Sequence, residues 1–208
     1  MAKITEISEQ KHNKKRVNIY LDGSFACGIM LETLAKSGLV TGDEISFSEL
    51  EKLQFDSEKD EAFDKALTFV SRSMKTKKQV REKLTEKGYL PKIVDYCVDK
   101  LCGYNFINDE EYCKSYVRTY MRQHGAKMIE RDLKLKGIDF NIVERAIESE
   151  YDGGEETAVK IAFKHIKNKE RTKENLAKTY KYLLSKGFSY EECSIAIDKI
   201  KGDLWNEF

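Results

Sequence analysis

The sequence predicts a mainly α-helical chain: three tandem three-helix repeats in an elongated array, preceded by a small β-containing N-terminal segment. Three observations carry this. The string Leu-x-x-Lys-Gly-apolar occurs three times, with Gly88, Gly137 and Gly187 standing 49 and 50 residues apart. Hydrophobicity alternates with a period of two early in the chain and takes a helical period from Ser46 onward. Pro91 is the single proline in 208 residues, as long uninterrupted helices require.

In the N-terminal segment, 1–56, Val17, Ile19 and Leu21 alternate with Asn18, Tyr20 and Asp22. Asp22-Gly23 then gives way to Phe25-Ala26-Cys27, the signal of a strand, a tight turn and a returning strand. Ile4 and Ile7 supply a further short strand. Leu31 to Ser37 reads as a short helix stopped by Gly38, and Thr41-Gly42-Asp43 as a turn into Glu44-Ile45.

The repeats occupy 57–102, 106–149 and 154–202. In each, the lysine and glycine close the second helix, because Gly enters the left-handed conformation without a Cβ clash and lysine favours the negative end of the helix dipole. A start signal for the third helix follows every time: Pro91, Asp139, and Ser189 with Glu192 as a capping box. The apolar faces of these third helices match, with Val94, Val98 and Leu101 answering to Val143 and Ile147, and to Cys193, Ile197 and Ile200. Thr76 with Gln79, Gly125 and Thr172 mark the starts of the second helices, and Ser57, Asn108 and Gly154 those of the first. A 45-residue helical unit buries little apolar area alone, so neighbouring repeats are expected to stack.

Composition excludes more than it assigns. Basic and acidic residues number 37 and 36, giving a net charge of +1, so no partner follows from the total. Met1-Ala2-Lys3-Ile4-Thr5-Glu6 lacks the apolar stretch of a secretory signal, and no apolar run approaches the roughly 18 residues of a membrane span; a soluble, cytoplasmic protein is expected. Cys27, Cys97, Cys102, Cys113 and Cys193 are odd in number and read as buried thiols in a reducing compartment. His12, His124 and His165 stand apart from any cluster with metal-ligand spacing, so neither metal nor cofactor is expected. Phosphate-binding glycine loops and a nucleophile elbow are missing from the sequence, which points away from an enzyme and leaves no catalytic residue to name. Asp109, Glu110 and Glu111 cluster at a helix start, where carboxylates complement the dipole.

The informative polar feature is a basic corner between the first and second helices, repeated three times. Arg72, Lys75, Lys77, Lys78 and Arg81 form it in the first repeat, Arg118, Arg122, Lys127 and Arg131 in the second, and Lys167, Lys169, Arg171, Lys173 and Lys178 in the third. Recurrence at one structural place makes the set a candidate surface for a polyanion or an acidic protein, although any single exposed lysine is accounted for by solvation. Tyr112, Tyr116 and Tyr120 recur at helical spacing beside Arg118 and Arg122. Base stacking is one reading, and half-buried packing is the commoner one.

The string Gly103-Tyr104-Asn105-Phe106-Ile107-Asn108-Asp109-Glu110-Glu111-Tyr112, followed by Tyr116-Val117-Arg118, Gly125-Ala126-Lys127-Met128-Ile129 and Leu133-Lys134-Leu135-Lys136-Gly137-Ile138, resembles the central signature of the RecX recombination regulators. Arg72-Ser73 and Thr76 through Leu84 agree as well. The resemblance runs from about Ala62 to the C-terminus and leaves the N-terminal segment outside it. Gly125-Ala126-Lys127 departs from the Gly-Lys-Gly type of turn often found in the family, and the third repeat is the most divergent. The resemblance implies a cytoplasmic bacterial protein that binds the RecA filament on single-stranded DNA and inhibits its ATPase, strand exchange and coprotease activities, with DNA phosphate or RecA facing the basic surface; a monomer is the expected state, although the sequence does not say whether the chain dimerises. A helical-repeat nucleic-acid binder acting without RecA, and a scaffold for another protein, are the alternatives.

Overall fold

A computed structural model describes residues 1–203 of the chain. They order as β1 (Ala2–Gln10), β2 (Asn13–Leu21), β3 (Ser24–Met30), α1 (Leu31–Ser37), β4 (Glu44–Ile45), α2 (Phe47–Ser71), α3 (Lys77–Glu86), α4 (Pro91–Gly103), α5 (Asp109–Tyr120), α6 (Ala126–Leu135), α7 (Phe140–Glu150), α8 (Gly154–Ile166), α9 (Lys173–Ser185) and α10 (Tyr190–Asp203). The residues group into two compact units: Met1–Met74 with Gln79–Ile107, and Lys75–Lys78 with the chain from Asn108 onward.

The first unit begins with an antiparallel sheet of order β3-β2-β1-β4. Asp22 and Gly23 take φ of 48° and 84°, the left-handed pair that a two-residue hairpin needs. Ile4, Val17, Ile19, Leu21, Cys27 and Ile29 fill the inner face, as the alternation predicts, together with Ile45 and Leu50. Helix α2 starts at Phe47, ten residues before the Ser57 start expected from sequence. Ser46 caps it: its hydroxyl accepts from the Glu49 amide while Glu49 reaches back to the Ser46 amide.

At 25 residues α2 is about 37 Å long at 1.5 Å per residue, and it serves two cores. Leu50 closes the sheet core, whereas Ala62, Ala66 and Val70 pack with Val80 and Leu84 of α3 and Ile93, Val94, Cys97, Val98 and Leu101 of α4. Between these stretches α2 buries two polar side chains. Ser57 Oγ accepts from the Met30 amide at 2.7 Å, and Glu58 accepts from Arg16 Nη2 at 2.7 Å. The same Arg16 nitrogen donates to the Gly28 carbonyl at 3.0 Å, tying the hairpin to the helix.

In the second unit, α5–α7 enclose Cys113, Val117, Ile129, Leu133, Ile138, Val143 and Ala146, and α8–α10 enclose Ala158, Ala162, Ile166, Leu183, Phe188, Cys193, Ala196 and Ile200. Gly88, Gly137 and Gly187 all carry positive φ, of 83°, 77° and 86°, as the repeated motif predicts. In this unit the Lys-Gly turns also make close backbone joints. The Gly125 amide donates to the Lys186 carbonyl at 2.9 Å and the Lys127 amide to the Gly187 carbonyl at 3.2 Å. Lys75–Lys78 meets the other turn through side chains instead, Thr76 Oγ1 donating to the Lys136 carbonyl at 3.0 Å and Lys78 Nζ to that of Leu135 at 3.3 Å. Carbonyls that a helix C-terminus leaves unpaired thus accept from the preceding repeat's corner.

Four of the predicted caps are in place, Asn108, Asp139, Thr172 and Ser189 each accepting a backbone amide of the following turn, and Pro91 opens α4. Asp109 is buried and accepts from the Lys77 amide at 3.0 Å, a structural duty beyond the dipole role read from sequence. Cys27, Cys97, Cys113 and Cys193 are buried thiols whose pKa burial pushes up to about 11. Cys102 is a thiol too, but only half-buried, against the expectation for all five. Among the described residues no helix is long and apolar enough to cross a membrane, and no group of His, Cys, Asp or Glu side chains could hold a metal ion.

Candidate functional site

Three segments of the second unit converge on a groove of about 610 Å³ lined by Arg122, Gln123, Lys160, Ile161, Lys164, His165, Tyr182 and Lys186. Helix α8 buries Ala158, Ala162 and Ile166 at helical spacing, so Lys160, Ile161, Lys164 and His165, themselves spaced i, i+4, fall along the groove side. Helix α9 buries Leu176, Thr179 and Leu183, which leaves Tyr182 and, one turn on, Lys186 facing the groove beside the Gly187 turn. Arg122 and Gln123 come from the turn between α5 and Gly125, fixed here because Gly125 is hydrogen-bonded to Lys186.

The lining carries four cationic side chains and no carboxylate. His165 stacks on Tyr182 with centroids 4.4 Å apart and planes 13° apart, and Lys186 Nζ lies 5.6 Å from the Tyr182 centroid. The imidazole is held in one tautomer. Thr179 Oγ1 donates to the Asn175 carbonyl at 2.9 Å, so it accepts from His165 Nδ1–H at 3.0 Å, and Nε2 accepts from the Lys169 ammonium at 3.2 Å. Burial, then the Lys169 charge, hold His165 below the ordinary histidine value of 6.5. Burial and the Lys186 charge do the same to His124, against a smaller opposing pull from Asp132.

Acidification should therefore destabilise the fold. Below the ordinary histidine pKa the unfolded chain binds protons that folded His124 and His165 refuse, so stability is complete above about pH 6.5 and falls as pH drops below it. Denaturant midpoints measured between about pH 7 and 5 are expected to fall for the wild type and to flatten for the His124→Gln, His165→Gln double variant. An unchanged slope in that variant would refute the assignment.

The predicted basic residues divide according to what they touch. Arg122 joins the groove. Lys167 and Arg171 line a second depression of about 540 Å³ with Phe163, Lys164, Ile166 and Lys169, so Lys164 borders both. Lys173 is exposed in the first turn of α9, and Arg72 at the end of α2 and Lys77 at the start of α3 are also exposed. Others are engaged within the chain. Arg118 makes a bidentate pair with Glu150 at 2.6 and 2.7 Å, and Arg81 pairs with Asp95. Arg131 lies 3.5 Å from Asp132, Lys178 lies 2.7 Å from Glu174, and Lys127 stands over the Tyr190 ring at 5.2 Å. Lys78 donates to the Leu135 carbonyl as described above.

Tyr112, Tyr116 and Tyr120 are half-buried against the α5–α7 core, with adjacent centroids 6.2 and 4.3 Å apart, and the Tyr116 hydroxyl donates to Asp132 at 3.4 Å. They are packing residues, and the aromatic surface in the groove belongs to His165 and Tyr182. Sequence reasoning missed Lys160, Lys164, His165, Tyr182 and Lys186. The i, i+4 spacing of Lys160 with Lys164 and of Tyr182 with Lys186, opposite the buried stripes of α8 and α9, is the signal that could have found them.

Comparison with known proteins adds the family. Residues 2–46 match the regulatory protein RecX N-terminal domain, residues 62–101 the first RecX three-helix domain and residues 108–147 the second. The N-terminal segment, outside the resemblance read from sequence, is thus within the family as well. The chain is 36% identical over 205 residues to regulatory protein RecX of Clostridium beijerinckii, with 96% of each chain covered. It is 32% identical over 206 residues to that of Bacillus subtilis, covering 97% of this chain and 78% of the relative. A crystal structure of regulatory protein RecX superposes with a TM-score of 0.64 at 29% identity, over 95% of this chain and all of the other. RecX from Lactobacillus salivarius gives 0.63 at 31% identity, over 69% and 97%. With three successive segments matched and similarity running along nearly its whole length, the chain belongs to the RecX family of regulatory proteins.

Proposed function

We propose that this RecX-family regulator binds the RecA filament formed on single-stranded DNA and inhibits its ATP hydrolysis, strand exchange and coprotease activity. The observation that carries the reading beyond family membership is the groove of Arg122, Lys160, Lys164 and Lys186, cations gathered without a carboxylate in the lining. Such a surface suits a filament whose DNA carries a phosphate at every nucleotide. Tandem repeats allow several weak contacts with neighbouring RecA subunits to add through effective concentration, so one chain could restrain rearrangement of more than one subunit.

Steady-state ATP hydrolysis by RecA from the same organism, on single-stranded DNA, tests this directly. Substoichiometric amounts of the protein are expected to lower the rate. No change at any ratio, with the protein folded, would refute the reading; naked-DNA binding alongside it would favour a nucleic-acid binder that acts without RecA.

A further inference from the structure

We propose that the groove between α8, α9 and the α5–Gly125 turn is a binding site for one single strand of nucleic acid, with phosphates on Arg122, Lys160, Lys164 and Lys186 and a base against the His165–Tyr182 pair. The inference rests on the regulator reading only for the source of the strand.

Two independent features point to a single strand. Cations alone would suit any polyanion, duplex DNA included. An aromatic pair inside the same groove is different, since a duplex keeps its base faces stacked internally, whereas a single strand offers a base face at each nucleotide. Tyr182 and His165 already stand parallel, and the imidazole has both nitrogens committed to Thr179 and Lys169, so it presents a ring surface rather than a wandering hydrogen-bond partner. Charge is available where it is needed: Lys164 and Arg122 are exposed, and the ion pair on this stretch of α8, Lys160 with Glu156 at 2.6 Å, joins two side chains 72% and 73% exposed. A pair that open to water yields readily to a phosphate. The joint that builds the groove is rigid, because Gly125 and Lys127 bond the backbone of Lys186 and Gly187 directly. The cations are thus held at fixed places before any ligand arrives.

Fluorescence anisotropy of a labelled oligothymidine, without RecA, separates the contributions. Lys160→Gln and Lys164→Gln, at exposed positions where folding is unaffected, should weaken binding and each lower the slope of log affinity against log salt by about 0.7. Tyr182→Leu should weaken binding roughly tenfold with the slope unchanged, and Tyr182→Phe should restore it, since the ring and not the hydroxyl is required. A duplex of equal length should bind more weakly and be insensitive to Tyr182→Leu. Equal binding of duplex and single strand, or lysine variants with wild-type slopes, would overturn the assignment. So would a folded Tyr182→Leu protein that binds like the wild type. A wild type that fails to bind oligothymidine while still inhibiting RecA would overturn the groove assignment and spare the regulator reading; strand binding through these residues with RecA unaffected would do the reverse.

Discussion

Gly187→Ala is expected to cost about 2–5 kcal/mol of stability, the larger of two effects that the fold predicts. Left-handed backbone at φ 86° costs an alanine roughly 1–2 kcal/mol. Its Cβ would also stand 2.3 Å from the Met128 amide nitrogen, which cannot move aside without breaking the joint between the second and third repeats, and overpacking of that kind adds about 1–3 kcal/mol. Two further glycines divide the sum. Gly88 holds the equivalent place in the first repeat with φ 83° and nothing within 4 Å of an added Cβ, so Gly88→Ala carries the backbone cost alone. Gly125 has an ordinary φ of −73°, but its Cβ would lie 2.2 Å from the Gly187 carbonyl oxygen, so Gly125→Ala carries the steric cost alone. Urea midpoints for the three variants should rank Gly187→Ala as the most destabilised, and Gly125→Ala and Gly187→Ala should also weaken strand binding in the groove. Equal losses at Gly88 and Gly187 would mean that the close approach contributes nothing.

The second large effect is at Glu58. Its side chain is 8% exposed and pairs with Arg16, itself 20% exposed, which is also held by the Gly28 carbonyl. Glu58→Ala removes the partner and leaves the guanidinium enclosed against the sheet. Breaking a buried pair costs about 3–5 kcal/mol, and the residual exposure of Arg16, with Glu61 3.5 Å away, brings the expectation to about 2–3 kcal/mol. Arg16→Met with Glu58→Leu should recover much of it, because replacing both members by apolar side chains leaves no charge unpaired. Denaturant unfolding of the two proteins checks this; a double variant as unstable as Glu58→Ala would show that packing, and not the unpaired charge, governs the site.

These two sites also show what the sequence made legible. The Lys-Gly motif announced left-handed helix ends, since few other residues accept that conformation, and the three positive φ values follow. It gave no hint that Gly125 and Gly187 meet, because that contact joins residues 62 apart in sequence. The start of α2 is hidden from the apolar period for a related reason. Ser57 and Glu58 are polar, so they break the apolar period of the helix, yet both are buried because Met30 and Arg16 supply their hydrogen bonds. The capping pair Ser46 and Glu49 was the better marker.

The candidate surface divides in the same way. Residue type and recurrence picked out Arg122, Lys167 and Arg171, which line the two basic depressions. Recurrence could not reveal that Arg118 is held by Glu150, 32 residues onward, or that Lys178 is taken by Glu174. Lys186 sat inside the motif and read as a cap; only the folded joint brings it to Arg122.

Filament inhibition through the groove requires its cations to face the filament. RecA-dependent ATP hydrolysis on single-stranded DNA, titrated with the wild type and with the Arg122→Gln, Lys164→Gln, Lys186→Gln variant at matched circular dichroism, tests that most directly. A variant needing at least tenfold more protein for the same inhibition is the predicted result; a folded variant that inhibits at wild-type concentrations would contradict it.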